Sequence, residues 1–166
     1  MKVLVAVASK HGSTRDIADV VAEELQARGF LADVQAVTDD PDPRDYGAVV
    51  LGSAIYMGRW LAEARDWATR HEPTLEHMPL WLFSSGPIGD PPQPTEEPAD
   101  PVQLAAVTGA RGHTVFAGKL DPSALGLGER LVTRIVHAPY GDYRDFAAIH
   151  AWAQEIATEL DAVRVT

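Results

Sequence analysis

The chain contains no cysteine, and this absence excludes several kinds of chemistry at once. Disulfides, thiolate nucleophiles and cysteine-ligated clusters all depend on the sulfur atom of that residue. A low-molecular-weight phosphatase is excluded for the same reason, because it attacks its substrate with a cysteine. A protein without disulfides is compatible with a reducing compartment.

Basic residues and long apolar runs are also scarce. Lysine and arginine total 14 against 24 aspartate and glutamate residues, which gives a formal net charge of -10. Such a charge argues against nucleic acid and anionic membrane surfaces as main partners, and it favours basic protein partners. No apolar run has the length of a transmembrane helix, and the amino terminus does not read as a signal peptide. We therefore expect a cytoplasmic protein with no integral membrane segment, and peripheral association with a membrane stays open.

Signatures of three other protein classes are missing. The six histidines occur in neither H-x-H nor H-E-x-x-H spacing, so no metal site is expected. The first turn of the chain matches neither the P-loop pattern G-x-x-x-x-G-K-[ST] nor the dinucleotide pattern G-x-G-x-x-G. A receiver domain needs a phosphoacceptor aspartate after the third strand, where this chain has Gly52-Ser53.

The strongest pattern that is present occupies the first 29 residues. The unbroken apolar run Val3–Ala8 predicts a strand buried on both faces of a parallel sheet. A polar turn, Ser9–Thr14, leads into a segment with apolar residues at helical spacing. Ser13 followed by Asp16 predicts the start of that helix, and Gly29 predicts its end.

The turn between this strand and helix predicts an anion site. A strand that feeds a helix through a small turn leaves free N–H groups at the helix start, and the helix dipole adds to their attraction for phosphate. Ser9, Ser13 and Thr14 contribute hydroxyl groups, and Gly12 allows a close approach of the backbone. An ordinary capped turn without a ligand is the equally favoured alternative at this point.

The rest of the chain repeats the alternation of strand and helix. Apolar runs at Ala48–Leu51, Leu80–Phe83 and Gly112–Gly118 predict three more buried strands, and the alternating Leu31–Ala36 predicts an edge strand. Strands that alternate with helices indicate an α/β sheet with helices on both faces. Helices are expected over residues 60–68, over Pro101–Thr108, over Ser123–His137, and over a last segment that Asp142 would cap, with an apolar face of Phe146, Ile149, Trp152, Ala153, Ile156 and Leu160.

Three loops leave the carboxyl ends of the predicted strands, where ligands bind in such sheets. They are Ser9–Thr14, Ser53–Gly58 and Ser84–Gly89, and all three are rich in serine and glycine. The small residues of the second and third loops read as loop rather than as strand. One phosphate loop flanked by two such loops can hold a phosphorylated, planar, aromatic ligand.

These motifs resemble the flavodoxin family over essentially the whole chain. The pattern Ser9-x-x-Gly12-x-Thr14 is similar to the loop that holds the phosphate of FMN, and the other two loops are similar to those that hold its ring. Within the family, the Gly-Ser-Ala-Ile-Tyr-x-Gly loop, Phe116-Ala117-Gly118 and an extra helix before the last one are most similar to the flavodoxin-like, menaquinone-dependent protoporphyrinogen IX dehydrogenases.

The resemblance implies a fold, a cofactor and a set of binding residues. The fold would be a flavodoxin-like three-layer sandwich of residues 1–166 as a single domain, with a five-stranded parallel sheet of order 2-1-3-4-5 and helices on both faces. The phosphate of FMN would be held by Ser9, His11, Gly12, Ser13 and Thr14. One side of the isoalloxazine would be lined by Ser53, Ala54, Ile55, Tyr56 and Gly58. The other side, with backbone donors to the pyrimidine end, would be lined by Ser84, Ser85, Gly86, Ile88 and Gly89.

Two aromatic residues, Tyr56 and Trp60, are the candidates for stacking on the flavin. No aromatic residue occurs in Ser84–Gly89, and this suits a flavin with one face open to a substrate. The resemblance also implies that Gly58 reorients its peptide toward the flavin when the flavin takes up a proton.

Three functions follow from the resemblance. The first is an FMN oxidoreductase of the protoporphyrinogen-dehydrogenase type, with a small planar substrate, a quinone acceptor and a role in heme biosynthesis. The second is an FMN electron carrier that docks on basic redox partners and has no substrate of its own. The third is a flavodoxin fold that binds little or no flavin and serves as an interaction module.

Overall fold

The computed structural model describes residues 1–86, 97–120, 126 and 141–165. The elements in chain order are β1 (Lys2–Ala8), α1 (Ser13–Ala27), β2 (Leu31–Ala36), two 3-10 turns (Val37–Asp39 and Pro43–Asp45), β3 (Ala48–Tyr56), β4 (Arg59–Trp60), α2 (Ala62–Leu75), β5 (Leu80–Ser85), α3 (Ala99–Thr108), β6 (Gly112–Phe116), β7 (Lys119–Leu120), β8 (Gly141–Asp142) and α4 (Phe146–Arg164). The helix predicted over Ser123–His137 lies outside the described residues, apart from Gly126.

Five parallel strands form one sheet in the order β2-β1-β3-β5-β6. Counted without the short antiparallel β4, this is the predicted order 2-1-3-4-5, which is confirmed. β2 lies at one edge, as its alternating pattern predicted.

The prediction of a buried strand at Gly112–Gly118 is wrong in burial and extent. β6 ends at Phe116, and the residues before it are half-buried or exposed, because in the described part of the chain this strand has a neighbour on one side only.

Helices cover both faces of the sheet, so the predicted three-layer sandwich is confirmed. Because side chains alternate along a strand, Val3, Val5 and Val7 pack with α1 and α4 on one face. Leu4 and Ala6 pack with α2 and α3 on the other. Among the described residues, no helix is both long enough and apolar enough to cross a membrane.

The two central strands run further than their apolar residues predicted, and the prediction of loops directly after Leu51 and Phe83 is wrong. β3 continues to Tyr56, and β5 continues to Ser85. The two strands pair in parallel register beyond their apolar residues, Ser53 with Ser84 and Ala54 with Ser85. Gly52 has a packing role there, since a Cβ on it would lie 2.0 Å from the ring of Phe83.

A tight hairpin follows β3. Tyr56 pairs with Arg59 across a two-residue turn, and the turn residues Met57 and Gly58 have φ angles of 52° and 75°. Two successive positive φ angles define a type I′ turn, whose twist matches that of the strands it joins. Trp60 therefore belongs to β4 and not to the start of a helix as predicted, and α2 begins two residues later.

The ends of the helices correct one further prediction. α1 begins at Ser13 as predicted, directly after Gly12 with a φ of 87°, and among the described residues no side chain caps this helix. α4 is capped by Asp145, whose carboxylate accepts the N–H of Ala148 at 3.1 Å, and not by Asp142. The predicted end of α1 at Gly29 and the short helix that α3 forms are both confirmed.

Candidate functional site

The carboxyl ends of β1, β3 and β5 meet at one edge of the sheet. Ala8 at the end of β1 pairs with Ser53, and Ser53 pairs with Ser84, so these three residues lie side by side near the ends of their strands. The turn Ser9–Thr14, the β3–β4 hairpin and Gly86 continue from these residues. The structure thus brings together the described parts of all three predicted segments, whereas Ile88 and Gly89 lie outside the described residues.

The turn after β1 leaves the start of α1 open. The N–H of Gly12 donates to the hydroxyl oxygen of Ser9 at 3.1 Å, which shapes the turn. The first N–H groups of a helix have no partner within it, and no described side chain caps α1. Among the residues that the structure describes, none lies within 4 Å of the position that a Cβ on Gly12 would take, its chain neighbours aside. Uncapped donors beside open space fit an anionic group such as a phosphate.

Arg144 is a residue near this turn that sequence reasoning missed. Its guanidinium, only 6% exposed, donates to the carbonyl of Ser13 at 3.2 Å and to Asp16 at 2.9 Å. It also holds Asp142 with two bonds of 2.9 and 2.7 Å. Hydrogen bonds to Asp142 raise the pKa of Arg144, and those from Arg144 lower the pKa of Asp142 to about 2. The segment before α4 is thereby fastened to the first turn of α1.

The β3–β4 hairpin carries the exposed side chains of the site. Tyr56 is 40% exposed and Met57 70% exposed, and within the described ranges no atom beyond its chain neighbours lies within 4 Å of a Cβ on Gly58. The ammonium of Lys10 lies 4.2 Å from the centre of the Tyr56 ring, so the phosphate-type turn and the hairpin touch. Trp60 is 2% exposed and belongs to the core. Of the two aromatic candidates for stacking, Tyr56 is therefore the one at the surface.

The hydroxyl groups of Ser53 and Ser84 are used inside the protein. Ser53 donates to the carbonyl of Ala54 at 2.8 Å and accepts the N–H of Leu61 at 3.0 Å. Ser84 accepts the indole N–H of Trp60 at 2.7 Å. Both residues are fully buried. Their side chains hold strand ends and hairpin in place, and the neighbouring half-buried residues Ala54 and Ile55 lie closer to the surface.

Gly86 marks a close approach of three chain segments. A Cβ on Gly86 would lie 2.6 Å from the Cβ of Ile55, and a Cβ on Gly118 would lie 3.2 Å from the Cα of Gly86. The N–H of Gly86 donates to the carbonyl of Phe116 at 3.2 Å. This N–H is therefore bonded within the sheet, whereas the resemblance implied that backbone donors here would bind the pyrimidine end of the flavin.

A second group that sequence reasoning missed joins Ser84 to His113 and Glu97. The Ser84 hydroxyl lies 2.8 Å from Nε2 of His113, and Nδ1 of His113 lies 2.5 Å from the Glu97 carboxylate. The order serine, histidine, acid resembles a hydrolase triad. Ser84 is fully buried and holds the indole of Trp60, so its oxygen cannot reach a substrate, and a hydrolase is excluded for this group.

Comparisons with known proteins identify relatives of this sequence. A family model described as a flavodoxin domain matches residues 4–146. The protoporphyrinogen IX dehydrogenase [quinone] of Escherichia coli strain K12 is 30% identical over 95 residues, which cover 56% of this chain and 52% of that protein. The chain thus spans about half the length of the curated relatives that it matches.

Solved structures share the fold. The rubredoxin oxygen:oxidoreductase of Desulfovibrio gigas superposes with a TM-score of 0.68 at 18% identity, over 97% of this chain and 36% of that one. A cysteine-to-serine variant of the flavodoxin from Pseudomonas aeruginosa superposes with a TM-score of 0.62 at 16% identity, over 97% of this chain and 99% of that one. With a flavodoxin-domain match over most of its length and this sheet order, the chain belongs to the flavodoxin family.

Proposed function

We propose that this protein binds FMN at the carboxyl edge of its sheet and works as a flavin oxidoreductase. Membership of the flavodoxin family implies a flavin cofactor, for which FMN is typical. The observation that carries the proposal is the uncapped start of α1, which lies at the same sheet edge as the β3–β4 hairpin and the end of β5.

The residues present fit FMN. The phosphate would be held at the start of α1 by Ser9, His11, Gly12, Ser13 and Thr14. The ring would lie between the hairpin residues Ala54–Gly58 and the end of β5 at Ser84–Gly86, with Ser53 buried behind them. Bound FMN would supply the redox chemistry, since no side chain in the chain can be reduced and reoxidised at a thiol.

The protein's own groups would bind and orient the cofactor. Lys10 and Tyr56 would close the gap between the phosphate and ring sides of the site, because they already touch. Arg144 would keep the first turn of α1 in place through the carbonyl of Ser13 and would offset the charge of Asp16, which would otherwise repel a phosphate.

The substrate that we propose is a planar, quinone-like or porphyrinogen-like molecule. The support is the name of the Escherichia coli relative, a protoporphyrinogen IX dehydrogenase [quinone], which matches over about half its length. The exposed Met57 beside Tyr56 gives such a molecule an apolar contact. A carrier without its own substrate is the second candidate, and the net charge of -10, which suits docking on basic redox proteins, favours it.

The test is a titration of the purified protein with FMN and, separately, with riboflavin, followed by flavin fluorescence. We expect FMN to bind at least about tenfold more tightly than riboflavin, because only FMN places charge at the start of α1. Turnover of a quinone by the loaded protein then separates the oxidoreductase from the carrier. Equal affinity for both flavins, or no binding of either, would overturn the proposed site.

A further inference from the structure

The hydrogen bonds from Trp60 to Glu97 form one continuous line with a defined direction. An indole N–H can only donate, so Ser84 accepts from Trp60. An ionised carboxylate can only accept, so Nδ1 of His113 donates to Glu97. In the tautomer that carries its hydrogen on Nδ1, Nε2 accepts from the Ser84 hydroxyl. The indole N–H of Trp60, the hydroxyl of Ser84 and the Nδ1–H of His113 thus each have an acceptor. We call the four residues Trp60, Ser84, His113 and Glu97 the relay.

The relay connects the β3–β4 hairpin to the end of β5. In the proposed function, these are the two segments on either side of the flavin. Trp60 is the second residue of β4 and so anchors the hairpin, whereas Ser84 lies at the end of β5. Glu97 stands two residues before α3, at the far end of the segment that follows Gly86. This line of hydrogen bonds therefore connects the hairpin, the end of β5 and the residue Glu97 before α3 to one another.

The hairpin has a second attachment to the start of α3. Asp100 accepts the main-chain N–H of Trp60 at 2.9 Å and pairs with the guanidinium of Arg59 at 2.7 Å. The hydrogen bond from Arg59 holds the pKa of Asp100 below its usual range, so this carboxylate stays charged. Trp60 is thus held through its backbone by Asp100 and through its indole by the relay, which fixes both its position and its orientation.

The pairing of the Trp60 indole is not a general property of this core. In the part of the chain that the structure describes, the indole nitrogen of the buried Trp81 has no hydrogen-bond partner. The fold therefore tolerates an unpaired indole on the α1 and α4 face, but pairs the one beneath the hairpin. His113 is also buried, with 6% of its side chain exposed, and both its ring nitrogens are bonded.

We propose that His113 is a positioning residue of the cofactor site, which sets the separation between the hairpin and the end of β5 through Ser84 and Trp60. The inference rests on the proposed function, because the flavin ring is the group that would lie between these segments. Removing the ring of His113 leaves the hydrogen of the buried Ser84 hydroxyl without its acceptor, whereas the Glu97 carboxylate, 53% exposed, remains in contact with water. The strand end then shifts to recover a partner, and the gap that accepts the flavin changes with it.

The experiment compares three substitutions of the same residue. In His113→Gln, the amide reaches as far as Nε2 and keeps a bond to Ser84. In His113→Asn, the shorter amide matches Nδ1 and keeps only the bond to Glu97. His113→Phe keeps a ring and neither bond. A control is Thr108→Val in α3, which removes a buried hydrogen bond of 2.7 Å to the carbonyl of Leu104, away from the relay.

For each variant we would measure the Kd for FMN, the midpoint potential of the bound flavin and the Tm. We expect His113→Phe and His113→Asn to bind FMN at least about tenfold more weakly, which corresponds to about 1.4 kcal/mol, and to shift the midpoint potential. His113→Gln should stay within about threefold of the wild type, since it keeps the bond that orients Ser84. Thr108→Val should lower the Tm and leave the Kd unchanged.

A role in stability alone would give a different pattern. All three His113 variants would then lose Tm as Thr108→Val does, yet bind FMN with the wild-type Kd and potential, and this result would overturn the inference while leaving the proposed function intact. Equal weakening in all three variants would overturn it too, because the bond to Ser84 would not matter. If the wild-type protein itself binds no FMN, the proposed function falls and the inference falls with it.

Discussion

Two positions of the fold favour glycine for separate physical reasons. At Gly52 in β3 the limit is space, because the ring of Phe83 occupies the position of a Cβ. At Gly109, which ends α3, the limit is the backbone, since its φ is 67° and no described residue beyond its chain neighbours lies within 4 Å of the position of a Cβ there. A packing clash and a strained φ lower the free energy of unfolding by different amounts. The same substitution at the two positions therefore distinguishes the two causes.

We expect Gly52→Ala to lower the free energy of unfolding by about 1–3 kcal/mol or more, the range for forcing extra atoms into a packed core. Gly109→Ala, the control, should cost about 1 kcal/mol, because only its backbone is strained. Urea unfolding of both variants measures the difference. A Gly52→Ala variant as stable as the control would mean that the Phe83 ring moves aside at little cost.

A second prediction at this scale concerns the pH dependence of the Asp142–Arg144 pair. The pKa of Asp142 is lowered from 3.8 to about 2 in the folded protein. A carboxyl group with a lowered pKa stabilises the fold above its unfolded pKa and loses that contribution as the pH falls through the folded value. Asp142 is 42% exposed, so screening reduces the effect to about 1 kcal/mol.

Asp142→Asn should therefore destabilise the protein at pH 7 by about 1 kcal/mol, and the difference from the wild type should shrink between about pH 4 and pH 2. Urea unfolding across this range measures it. Asp161→Asn serves as the control, since it breaks an exposed pair with Arg28 and should have almost no effect. A pH-independent difference for Asp142→Asn would contradict the electrostatic explanation.

At the scale of elements, the β3–β4 hairpin is the piece of the site under backbone strain. Met57 occupies the first position of a type I′ turn with a φ of 52°, where asparagine or glycine is favoured. Its side chain is 70% exposed, so packing does not explain why a methionine is there. Strain at an exposed position beside a candidate site suggests a role in function.

We expect Met57→Asn to raise the free energy of unfolding by about 0.5–1 kcal/mol, because asparagine adopts this conformation with less strain. If Met57 contacts the substrate as proposed, the same variant should raise the KM for a quinone. Thermal unfolding and steady-state kinetics test the two parts. A more stable variant with an unchanged KM would assign the methionine no part in substrate binding.

The elements also explain which predictions from sequence succeed. Buried strands such as Val3–Ala8 are unbroken apolar runs, so their existence and order could be predicted. Gly52, Ser53, Ser84 and Ser85 are residue types that usually indicate loops, and only their pairing with neighbouring strands of the sheet makes them strand. Local pattern cannot reveal the relay, because Ser84, Glu97 and His113 are far apart in sequence and meet only after the sheet has formed.

At the scale of the whole molecule, the net charge of -10 separates the two proposed functions. A carrier that docks on a basic redox protein does so by long-range attraction, which salt screens within about 10 Å at 0.1 M. An oxidoreductase that reduces a neutral quinone gains nothing from that attraction.

We therefore expect electron transfer from the reduced protein to a basic acceptor such as cytochrome c to slow by about tenfold or more between 0.01 and 0.3 M salt if it is a carrier. The rate with a neutral quinone should change little over the same range and serves as the control. Stopped-flow mixing measures both. Fast quinone reduction with slow, salt-independent reduction of cytochrome c would favour the oxidoreductase.

The contrast between the crowded glycines and the open hairpin tip has an evolutionary consequence. A Cβ would lie 2.0 Å from the ring of Phe83 at Gly52 and 2.6 Å from Ile55 at Gly86, so a larger residue at either position collides unless its neighbour moves. Met57 is 70% exposed in a two-residue turn, so a replacement there loses little packing against the described residues. If the proposed oxidoreductase function holds, new substrate preferences should therefore arise first at the tip of the hairpin, while the two glycines beneath it change more slowly.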